Sequence, residues 1–293
     1  MADEVVSLAR RFIEQKRALG RKYHSEEREL RLLVRFAEVN GIRDLSQFTA
    51  ASLEEFLASR PRRRPRSFNH FLGVAGGFLD WTVTQQLLAV SPLHTRPRRA
   101  TSGRVPFIFD VADARRLLAA AAALPDNSRA QQRGPTYRAI FALCYGLGLR
   151  AGEACGLTWG DIGAGRSLLT VHGGKFGKTR LVPHGPRIAG LVGEQAARRA
   201  RAGAADVQAP LFTFDGQRPV HPGTASQTFH RLVTGLGLTA PAGISPPTLH
   251  SLRHSFAIGC LLRWYQQNLN PSARLHHLST FMGHVDPDSQ RST

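Results

Sequence analysis

Apolar residues recur at the three- and four-residue spacing of amphipathic helices along the N-terminal third of the chain. The first such stretch ends at Gly20, a residue type that often follows a helix C-terminus. Ser25 is expected to cap the second helix, and Ser52 with Glu55 has the pattern of a capping box for the third. The pattern predicts four helices here: Val5–Leu19, a second that ends at Gly41, Leu53–Ser59 and roughly Ser67–Leu88.

Beyond residue 106, helical and strand patterns alternate. Asp110 is placed to cap a helix that runs to about Leu124, and residues 134–149 predict a second, strongly apolar helix. Alternating residues predict two short strands, Ser167–His172 and Thr179–Pro183, joined by the glycine-rich turn of a β-hairpin. Two further helices are predicted, Ile188–Arg201 and Thr224–Leu236. The predicted fold class is mainly α with a small β-hairpin (α+β).

Residues 91–106 (SPLHTRPRRATSGRVP) interrupt these patterns, because they are rich in Pro, Arg, Ser and Thr and have no apolar period. This is the clearest domain boundary in the sequence. We therefore predict a helical domain over 1–92, a basic linker over 93–106 and a second domain over 107–293. A basic linker between two basic domains could lie along a nucleic-acid duplex or pass around it.

The composition indicates a folded and strongly cationic protein. Apolar residues make up 42% of the 293 positions and charged residues 20%, which supports a core and argues against wholesale disorder. The net charge of +18 implies a polyanionic partner, either a nucleic acid or an anionic membrane surface. No apolar run is long enough to span a bilayer and no signal peptide is recognisable, so a nucleic acid is favoured. Three widely spaced cysteines indicate reduced thiols and a cytoplasmic location.

Two runs of arginine are candidates for phosphate contacts. The run RPRRRPR, residues 60–66, carries five positive charges directly before the fourth predicted helix. A charged loop with such a defined place would contact phosphates, and a solvated charge run is the alternative. The linker carries a second run. The predicted DNA-binding residues are Arg60, Arg62, Arg63, Arg64, Arg66, Arg96, Arg98 and Arg99.

The segment YGLGLRAGEACGLTWGDI, residues 145–162, ends an apolar helix in closely spaced glycines, which let a backbone turn tightly and approach a ligand. Arg150 leaves this turn and Glu153 follows three residues later. An arginine leaving a buried helix is costly unless it is paired or bound to an anion. A structural Arg150–Glu153 ion pair and a phosphate contact by Arg150 are both possible, and Glu153 could orient Arg150 for that contact.

The C-terminal stretch concentrates the side chains suited to a phosphodiester. His250 and Arg253 are three residues apart, so they project from one face of a helix, and His284 follows Gly283. Arginine binds two oxygens at once, and histidine transfers a proton near neutral pH. In the predicted hairpin, Lys175 can donate a proton where an arginine cannot. For the HSLRH segment alone, a solvated helix face with incidental histidines is the competing interpretation.

Taken together, these motifs resemble the tyrosine recombinase (phage integrase) family over essentially the whole chain. GLRAGEACGLTWGDI looks like the first arginine box, GGKFGKTRLVPHG like the β-hairpin with its lysine, HSLRH like the HxxR motif and FMGH like the later histidine box. The resemblance implies a SAM-like, helical core-binding domain followed by a catalytic domain. It implies that the catalytic residues are Arg150, Lys175, His250, Arg253 and His284, with Glu153 in support.

The chemistry implied by the resemblance is DNA strand cleavage by transesterification, in DNA integration and site-specific recombination. Arg150 and Arg253 would stabilise the extra charge of the transition state, and Lys175 would protonate the leaving 5′-oxygen. His250 and His284 would hydrogen-bond a phosphate oxygen or help to deprotonate the nucleophile. No metal and no cofactor is expected. The expected partner is double-stranded DNA, with a homo-oligomer or an intact recombinase on that DNA.

The sequence departs from the family at its nucleophile. The family's tyrosine lies about nine residues after the box histidine, where this chain has Thr293, and its four tyrosines, Tyr23, Tyr137, Tyr145 and Tyr265, all precede His284. Loss of a nucleophile costs on the order of 10⁶ in rate in a hydrolase. We therefore expect a chain that is truncated before the tyrosine and does not cleave DNA alone.

Four alternatives remain open at this point. The chain could be a non-catalytic DNA-binding regulator or decoy that competes with an intact recombinase. It could receive a tyrosine in trans from a neighbour. A type IB topoisomerase-like role shares the chemistry and also requires the tyrosine. The remaining alternative is a metal hydrolase that uses His250, His254, His276 and His277, although the glutamate of the HExxH motif is missing.

Overall fold

The computed structural model describes residues 4–99, 105–163, 167–172, 179–203 and 206–283. The chain divides into two compact units, residues 1–103 and residues 104–293. The described residues form eleven α-helices and one two-stranded antiparallel sheet. The predicted mainly helical fold with a small β-hairpin is confirmed.

The N-terminal unit is a set of four helices around an aromatic core. Phe12 is fully buried and packs edge to face on Phe78, with ring centroids 5.7 Å apart, and the Phe71 ring lies 4.9 Å from Phe56. The fourth helix supplies two of these four rings, Phe71 and Phe78, and so carries much of the contact between the helices. The helices are α1 (Glu4–Ala18), α2 (His24–Val39), α3 (Ala50–Ser59) and α4 (Pro65–Thr84), with a 3₁₀ turn at Leu45–Gln47.

Two predicted helix caps in this unit are wrong. Helix α2 begins at His24, so Ser25 lies inside the helix and does not cap it. Helix α3 is capped by Thr49, whose Oγ1 accepts from the Ser52 N–H at 3.1 Å, while Ser52 Oγ accepts from the Thr49 N–H at 3.0 Å. Ser52 therefore occupies the third helical position of the capping box, the position that the prediction gave to Glu55.

The C-terminal unit is built around one buried helix. Helix α6 has its Ile140, Phe141 and Leu143 side chains in the core and packs against α5, α8 and α10. Asp110 caps α5 as predicted, because its carboxylate accepts from the Asp113 N–H at 2.7 Å. The helices are α5 (Val111–Ala122), α6 (Arg133–Gly146), α7 (Ala151–Cys155), α8 (Pro186–Arg201), α9 (Pro222–Gly235), α10 (Leu249–Gln266) and α11 (Pro271–Met282).

The predicted hairpin is present as two short antiparallel strands, β1 (Leu168–Val171) and β2 (Arg180–Pro183). Leu168 pairs with Pro183 and Val171 pairs with Arg180. Leu169, Val171 and Val182 are completely buried, so one face of the hairpin belongs to the core.

Among the described residues, no helix is long and apolar enough to cross a membrane. The three cysteines are free: Cys144 and Cys155 are buried and Cys260 is half-buried. Burial raises the pKa of the Cys155 thiol to about 12 and also raises that of Cys144. These thiols therefore stay protonated and pack as small apolar side chains.

Candidate active site

The turn between α6 and α7 has a backbone that only glycine fits. Gly148 has a φ of +63°, and a Cβ there would lie 2.5 Å from the Phe256 ring. Its carbonyl oxygen accepts a hydrogen bond from Arg253 Nη1. The glycine of the arginine box thus allows helix α10, which carries both Phe256 and Arg253, to approach the turn closely.

Glu153 is the centre of the site. Its side chain is 4% exposed, and it accepts from the Arg150 backbone N–H at 2.9 Å and from Arg150 Nη1 at 2.7 Å. Arg180 binds the same carboxylate at two points, with Nη1 3.0 Å from Oε1 and Nη2 2.8 Å from Oε2. Arg253 Nη1 lies 3.9 Å from Oε2. One buried carboxylate is therefore surrounded by three guanidinium groups.

Besides Glu153, the three arginines bind backbone carbonyl oxygens at the C-terminal end of α11. The last carbonyl oxygens of a helix have no partner within the helix and carry the negative end of its dipole. Each of the three guanidinium groups donates to one of them, so the end of α11 is fixed against the arginines. The pairs are Arg180 Nε with Phe281 O at 2.9 Å, Arg253 Nη2 with Met282 O at 2.8 Å and Arg150 Nη2 with Gly283 O at 3.3 Å.

Gly283 ends α11 in a conformation that suits only glycine. Its φ is +70°, and a Cβ at this position would lie 2.9 Å from Arg180 Nη1. Gly283 immediately precedes His284 in the sequence. The arginine cluster therefore fixes the chain one residue before the predicted catalytic histidine.

The electrostatics of the cluster favour binding of an anion. Burial raises the pKa of Glu153, but hydrogen bonds from Arg180 and Arg150 outweigh it and lower that pKa to about 2. Burial and the neighbouring Arg150 lower the pKa of the Arg253 guanidinium to about 10, so it stays charged at neutral pH. Three cations face one anion among the described residues, which leaves an excess of two positive charges.

The three arginines differ in their access to solvent. The Arg150 side chain is 32% exposed, that of Arg180 13% and that of Arg253 2%. Arg150 also makes the longest of the three bonds to the end of α11, at 3.3 Å. Arg150 is therefore the guanidinium best placed to exchange a backbone carbonyl for an external anion.

The structure brings together only part of the predicted catalytic set. Arg150, Glu153 and Arg253 form the cluster, and the exposed His250 lies three residues before Arg253 in the first turn of α10. The rings of His250 and His254 meet edge to face at 4.7 Å, and burial lowers the pKa of His254. Two predicted residues, Lys175 and His284, lie outside the described residues.

Directly after β1 and directly before β2 lie two of three hydrogen-bonded polar side chains that the sequence interpretation missed. His172 Nε2 lies 2.9 Å from Asp161 Oδ1, and His172 Nδ1 lies 3.0 Å from Thr179 Oγ1. Asp161 is buried and also accepts from the Thr158 N–H at 2.8 Å. These hydrogen bonds join His172 and Thr179, the two described residues on either side of the segment that carries Lys175.

Arg180 is the other site residue that the sequence interpretation missed. It lies on β2, directly opposite the end of β1, and its carboxylate partner is 27 residues earlier in the chain. One signal was present: Arg180 follows the predicted lysine turn at the start of an otherwise apolar strand, where a charged side chain needs a partner.

The predicted DNA-binding arginines fall into two groups. Arg62 is compensated, because its Nη2 lies 2.6 Å from Glu29 Oε2 and its guanidinium stands 4.9 Å from the Phe71 ring centroid. The others have exposed side chains, and none of them forms an ion pair with a residue that the structure describes. They are Arg60, Arg63, Arg64, Arg66, Arg96, Arg98 and Arg99.

The structure does not assemble the alternative metal site. Among the residues it describes, no group of three or more His, Cys, Asp or Glu side chains could hold a metal ion. His250 pairs with His254, and His276 pairs with His277 at 6.2 Å between ring centroids. Fold and site together define a two-unit helical protein with a buried, arginine-centred cationic site.

Comparison with known proteins identifies the family. The model of the Phage integrase family matches residues 109–289, well over half of the chain. The Sinorhizobium fredii protein named "Putative integrase/recombinase y4rB" is 33% identical over 281 residues, which cover 94% of this chain and 87% of that protein. Tyrosine recombinase XerC of Xanthomonas campestris pv. campestris is 28% identical over 268 residues, covering 88% and 73%. The chain therefore belongs to the phage integrase family of tyrosine recombinases.

Solved structures of the same fold agree with this assignment. A lambda integrase dimer bound to a COC′ core site is similar with a TM-score of 0.66 and 16% identity, covering 96% of this chain and 74% of that chain. A lambda integrase tetramer bound to a Holliday junction has a TM-score of 0.65 and 18% identity, covering 96% and 77%. At these identities the similarity concerns the fold.

Proposed function

We propose that this chain is a DNA-binding protein of site-specific recombination and DNA integration, and that the arginine cluster binds the phosphate at the site of strand exchange. The observation that carries the proposal is the cluster itself, in which Arg150 and Arg253 share one buried glutamate and retain excess positive charge. A phosphodiester is the anion that fits paired guanidinium groups, since each presents parallel N–H donors to two oxygens.

In this proposal the two arginines act by charge and position. Displacement at phosphorus adds negative charge to the non-bridging oxygens, and donors fixed in a dry site stabilise that charge without reorganisation. Arg253 is held by backbone carbonyls on both sides, so it is fixed before the phosphate binds. Arg150 would exchange Gly283 O for a phosphate oxygen, while Glu153 keeps its guanidinium in place.

The remaining predicted residues would move protons. The hydroxyl of a tyrosine would attack phosphorus and lose its proton, with His250 or His284 assisting. The bond from phosphorus to the 5′-oxygen would break, and Lys175 would donate a proton to that oxygen. The 3′-phosphotyrosyl bond would retain the energy needed to rejoin the strands. These steps balance without a metal ion or an organic cofactor.

Double-stranded DNA is the proposed partner, and self-association on DNA is proposed with it. The net charge of +18 supports a polyanion, and the similar lambda integrase structures are a dimer on a core site and a tetramer on a Holliday junction. Free, protonated thiols in the core agree with action in the cytoplasm.

We further propose that the 293-residue chain binds its site without cleaving it when it acts alone. Its four tyrosines all precede His284. Tyr137 is 2% exposed, and Tyr265 is twelve residues along α10 from Arg253, which corresponds to about 18 Å along a helix axis. Neither hydroxyl can therefore reach a phosphate at Arg253 within the same chain. An intact recombinase on the same DNA could supply the tyrosine.

A nicked suicide substrate tests both parts of this proposal. The DNA site is first selected from a random duplex library, and the chain is then incubated with the nicked site alone or together with an intact XerC-type recombinase. We expect a specific complex, no covalent protein–DNA adduct from the chain alone, and unchanged behaviour in the presence of a chelator. A covalent adduct from the chain alone would overturn the cleavage-incompetent assignment, and failure to select any duplex would overturn DNA binding.

A second function, competition with an intact recombinase for its sites, is favoured by the same placement of the tyrosines. It predicts that the chain lowers the recombination rate of the relative in proportion to site occupancy. Supply of a tyrosine by that relative predicts the opposite, a higher yield in the mixture. Arg150→Ala separates the two functions, because it would abolish the gain in yield but weaken competition only modestly.

A further inference from the structure

The two arginine runs of the N-terminal unit are held together by one asparagine. Asn69, on α4, donates from Nδ2 to the Arg98 carbonyl oxygen at 2.8 Å and accepts on Oδ1 from the Arg98 N–H at 2.8 Å. We propose that Asn69 joins residues 60–66 and 96–99 into one surface that binds consecutive phosphates of a DNA duplex. This inference rests on the proposed DNA-binding function and names the surface responsible for it.

The paired bonds make Asn69 a substitute for a neighbouring β-strand. Residue 98 lies in a segment without regular structure, so its backbone N–H and C=O have no partner of their own there. A side-chain amide has one donor face and one acceptor face, and can satisfy both groups at once. An alanine side chain has neither a donor nor an acceptor, so alanine at this position would release the segment.

Three more contacts fix the course of this segment along α4. The Arg98 guanidinium lies 3.8 Å from the Phe68 ring centroid, and its Nη1 donates to the Arg62 carbonyl oxygen at 2.8 Å. Further back, the Leu93 side chain packs where a Cβ on Gly76 would stand 3.4 Å away. The segment therefore runs antiparallel to α4 and ends beside the loop that carries the first arginine run.

The chemistry of this attachment preserves the positive charge of the surface. An amide, a ring face and a carbonyl oxygen hold Arg98, and none of the three carries a formal charge. Exposed arginines brought close together repel one another unless an anion lies among them. The attachment thus keeps a cationic surface assembled in the absence of a carboxylate, and DNA presents phosphates densely enough to bind several of its arginines together.

Arg62 marks the inner limit of this surface. Its guanidinium is bound to Glu29 and lies over Phe71, while its backbone carbonyl oxygen accepts from Arg98. Its charge is therefore used within the protein, while its neighbours Arg63 and Arg64 remain exposed. The surface is consequently formed by seven arginines: Arg60, Arg63, Arg64, Arg66, Arg96, Arg98 and Arg99.

The salt dependence of duplex binding tests the inference, because its slope counts the phosphates that a protein neutralises. The full chain, Asn69→Ala, and a variant with Arg96, Arg98 and Arg99 all changed to Ala are titrated with a mixed-sequence duplex over a range of salt concentrations. Asn40→Ala is the matched control, because Asn40 also donates a side-chain hydrogen bond to backbone, 2.8 Å from Phe36 O, at the end of α2.

We expect Asn69→Ala to reduce the magnitude of the slope by about 2.7, although it removes no charge, since each of three lost phosphate contacts reduces it by about 0.9. The triple arginine variant should reduce the magnitude of the slope by a similar amount. A variant that combines Asn69→Ala with the three arginine changes should show little further reduction, because both changes remove the same phosphate contacts. Asn40→Ala should retain the wild-type slope. Circular dichroism and thermal unfolding establish that each variant is folded.

Two results would overturn the inference while leaving DNA binding intact. One is a wild-type slope for a folded Asn69→Ala protein together with a lower slope for the triple variant. The other is full additivity of the two changes. Absence of duplex binding by the wild-type chain would overturn the proposed function itself, and the inference with it.

Discussion

Arg180 and Glu153 form a two-point ion pair across 27 residues of sequence, with Nη1 3.0 Å from Oε1 and Nη2 2.8 Å from Oε2. The same guanidinium donates from Nε to Phe281 O at 2.9 Å. Arg180 thereby connects strand β2, helix α7 and the end of helix α11. It acts on the site by positioning Glu153 and the chain that leads to His284.

Arg180→Ala is expected to destabilise the protein by about 2 kcal/mol. Loss of one partner of a buried ion pair typically costs about 3–5 kcal/mol, and Arg150 remains to pair with Glu153. Arg180→Lys is the control: it retains the charge but not the two-point geometry, and we expect an intermediate loss. Urea unfolding at neutral pH measures both variants. A change of less than about 0.5 kcal/mol for Arg180→Ala, as for an ordinary surface substitution, would contradict this role.

Acid should weaken the fold through Glu153. Its pKa falls from 4.5 to about 2 in the folded chain, so its contribution is fully present above pH 4.5 and is lost as the pH drops through 2. The difference in unfolding free energy between wild type and Glu153→Gln should be on the order of 3 kcal/mol at neutral pH. It should shrink steadily below pH 4.5. A difference that does not change with pH would show that the charge of Glu153 is not what stabilises the cluster.

Gly283→Ala should disturb the end of α11. Its φ of +70° costs a non-glycine residue about 1–2 kcal/mol, and the new Cβ would also displace Arg180. Gly259→Ala, within α10, is the matched control: it meets no atom within 4 Å and should stabilise the helix by up to about 1 kcal/mol. In thermal unfolding, Gly283→Ala should lower the melting temperature and Gly259→Ala should raise it. Equal shifts in melting temperature would contradict the close packing of Arg180 on Gly283.

Arg62→Ala and Arg63→Ala should separate stability from DNA binding. Arg62 is bound to Glu29 at 2.6 Å, so its loss should lower the unfolding free energy by about 1 kcal/mol and change the salt slope little. Exposed Arg63 should behave in the opposite way, with unchanged stability and a slope lower by about 0.9. Urea unfolding and salt titrations of DNA binding are measured for both variants. A larger change of the salt slope for Arg62→Ala than for Arg63→Ala would contradict the assignment of Arg62 to stability and Arg63 to DNA binding.

The sequence predicted most elements because their signals are local. The apolar face of α6, the Asp110 cap and the strands of the hairpin each depend on residues within one or two turns. The caps of α2 and α3 were wrong for the same reason. Thr49 and Ser52 can both cap a helix, and only the formed backbone decides which one does.

The site was predictable only where a motif marks the residue. The motifs named Arg150, Glu153 and Arg253 as candidates, and the structure places these three side chains together. Arg180 was missed because nothing near it in the sequence carries a negative charge that identifies its partner. Asn69 was missed for a related reason, since an asparagine on a helix surface gives no indication of a backbone partner 29 residues away.

The arginine cluster at the end of α11 depends on contacts between distant parts of the sequence. The bonds that converge there join residues separated by 133, 101 and 29 positions in the chain. Contacts between distant residues require large loops to close first, and they slow folding for that reason. The cluster should consequently form in the last stage of folding of the C-terminal unit and be among the first features lost on unfolding. Native-state hydrogen exchange at the Arg150 amide, which donates to Glu153, should then be faster than exchange in the core helices and report opening of the cluster before the rest of the unit unfolds.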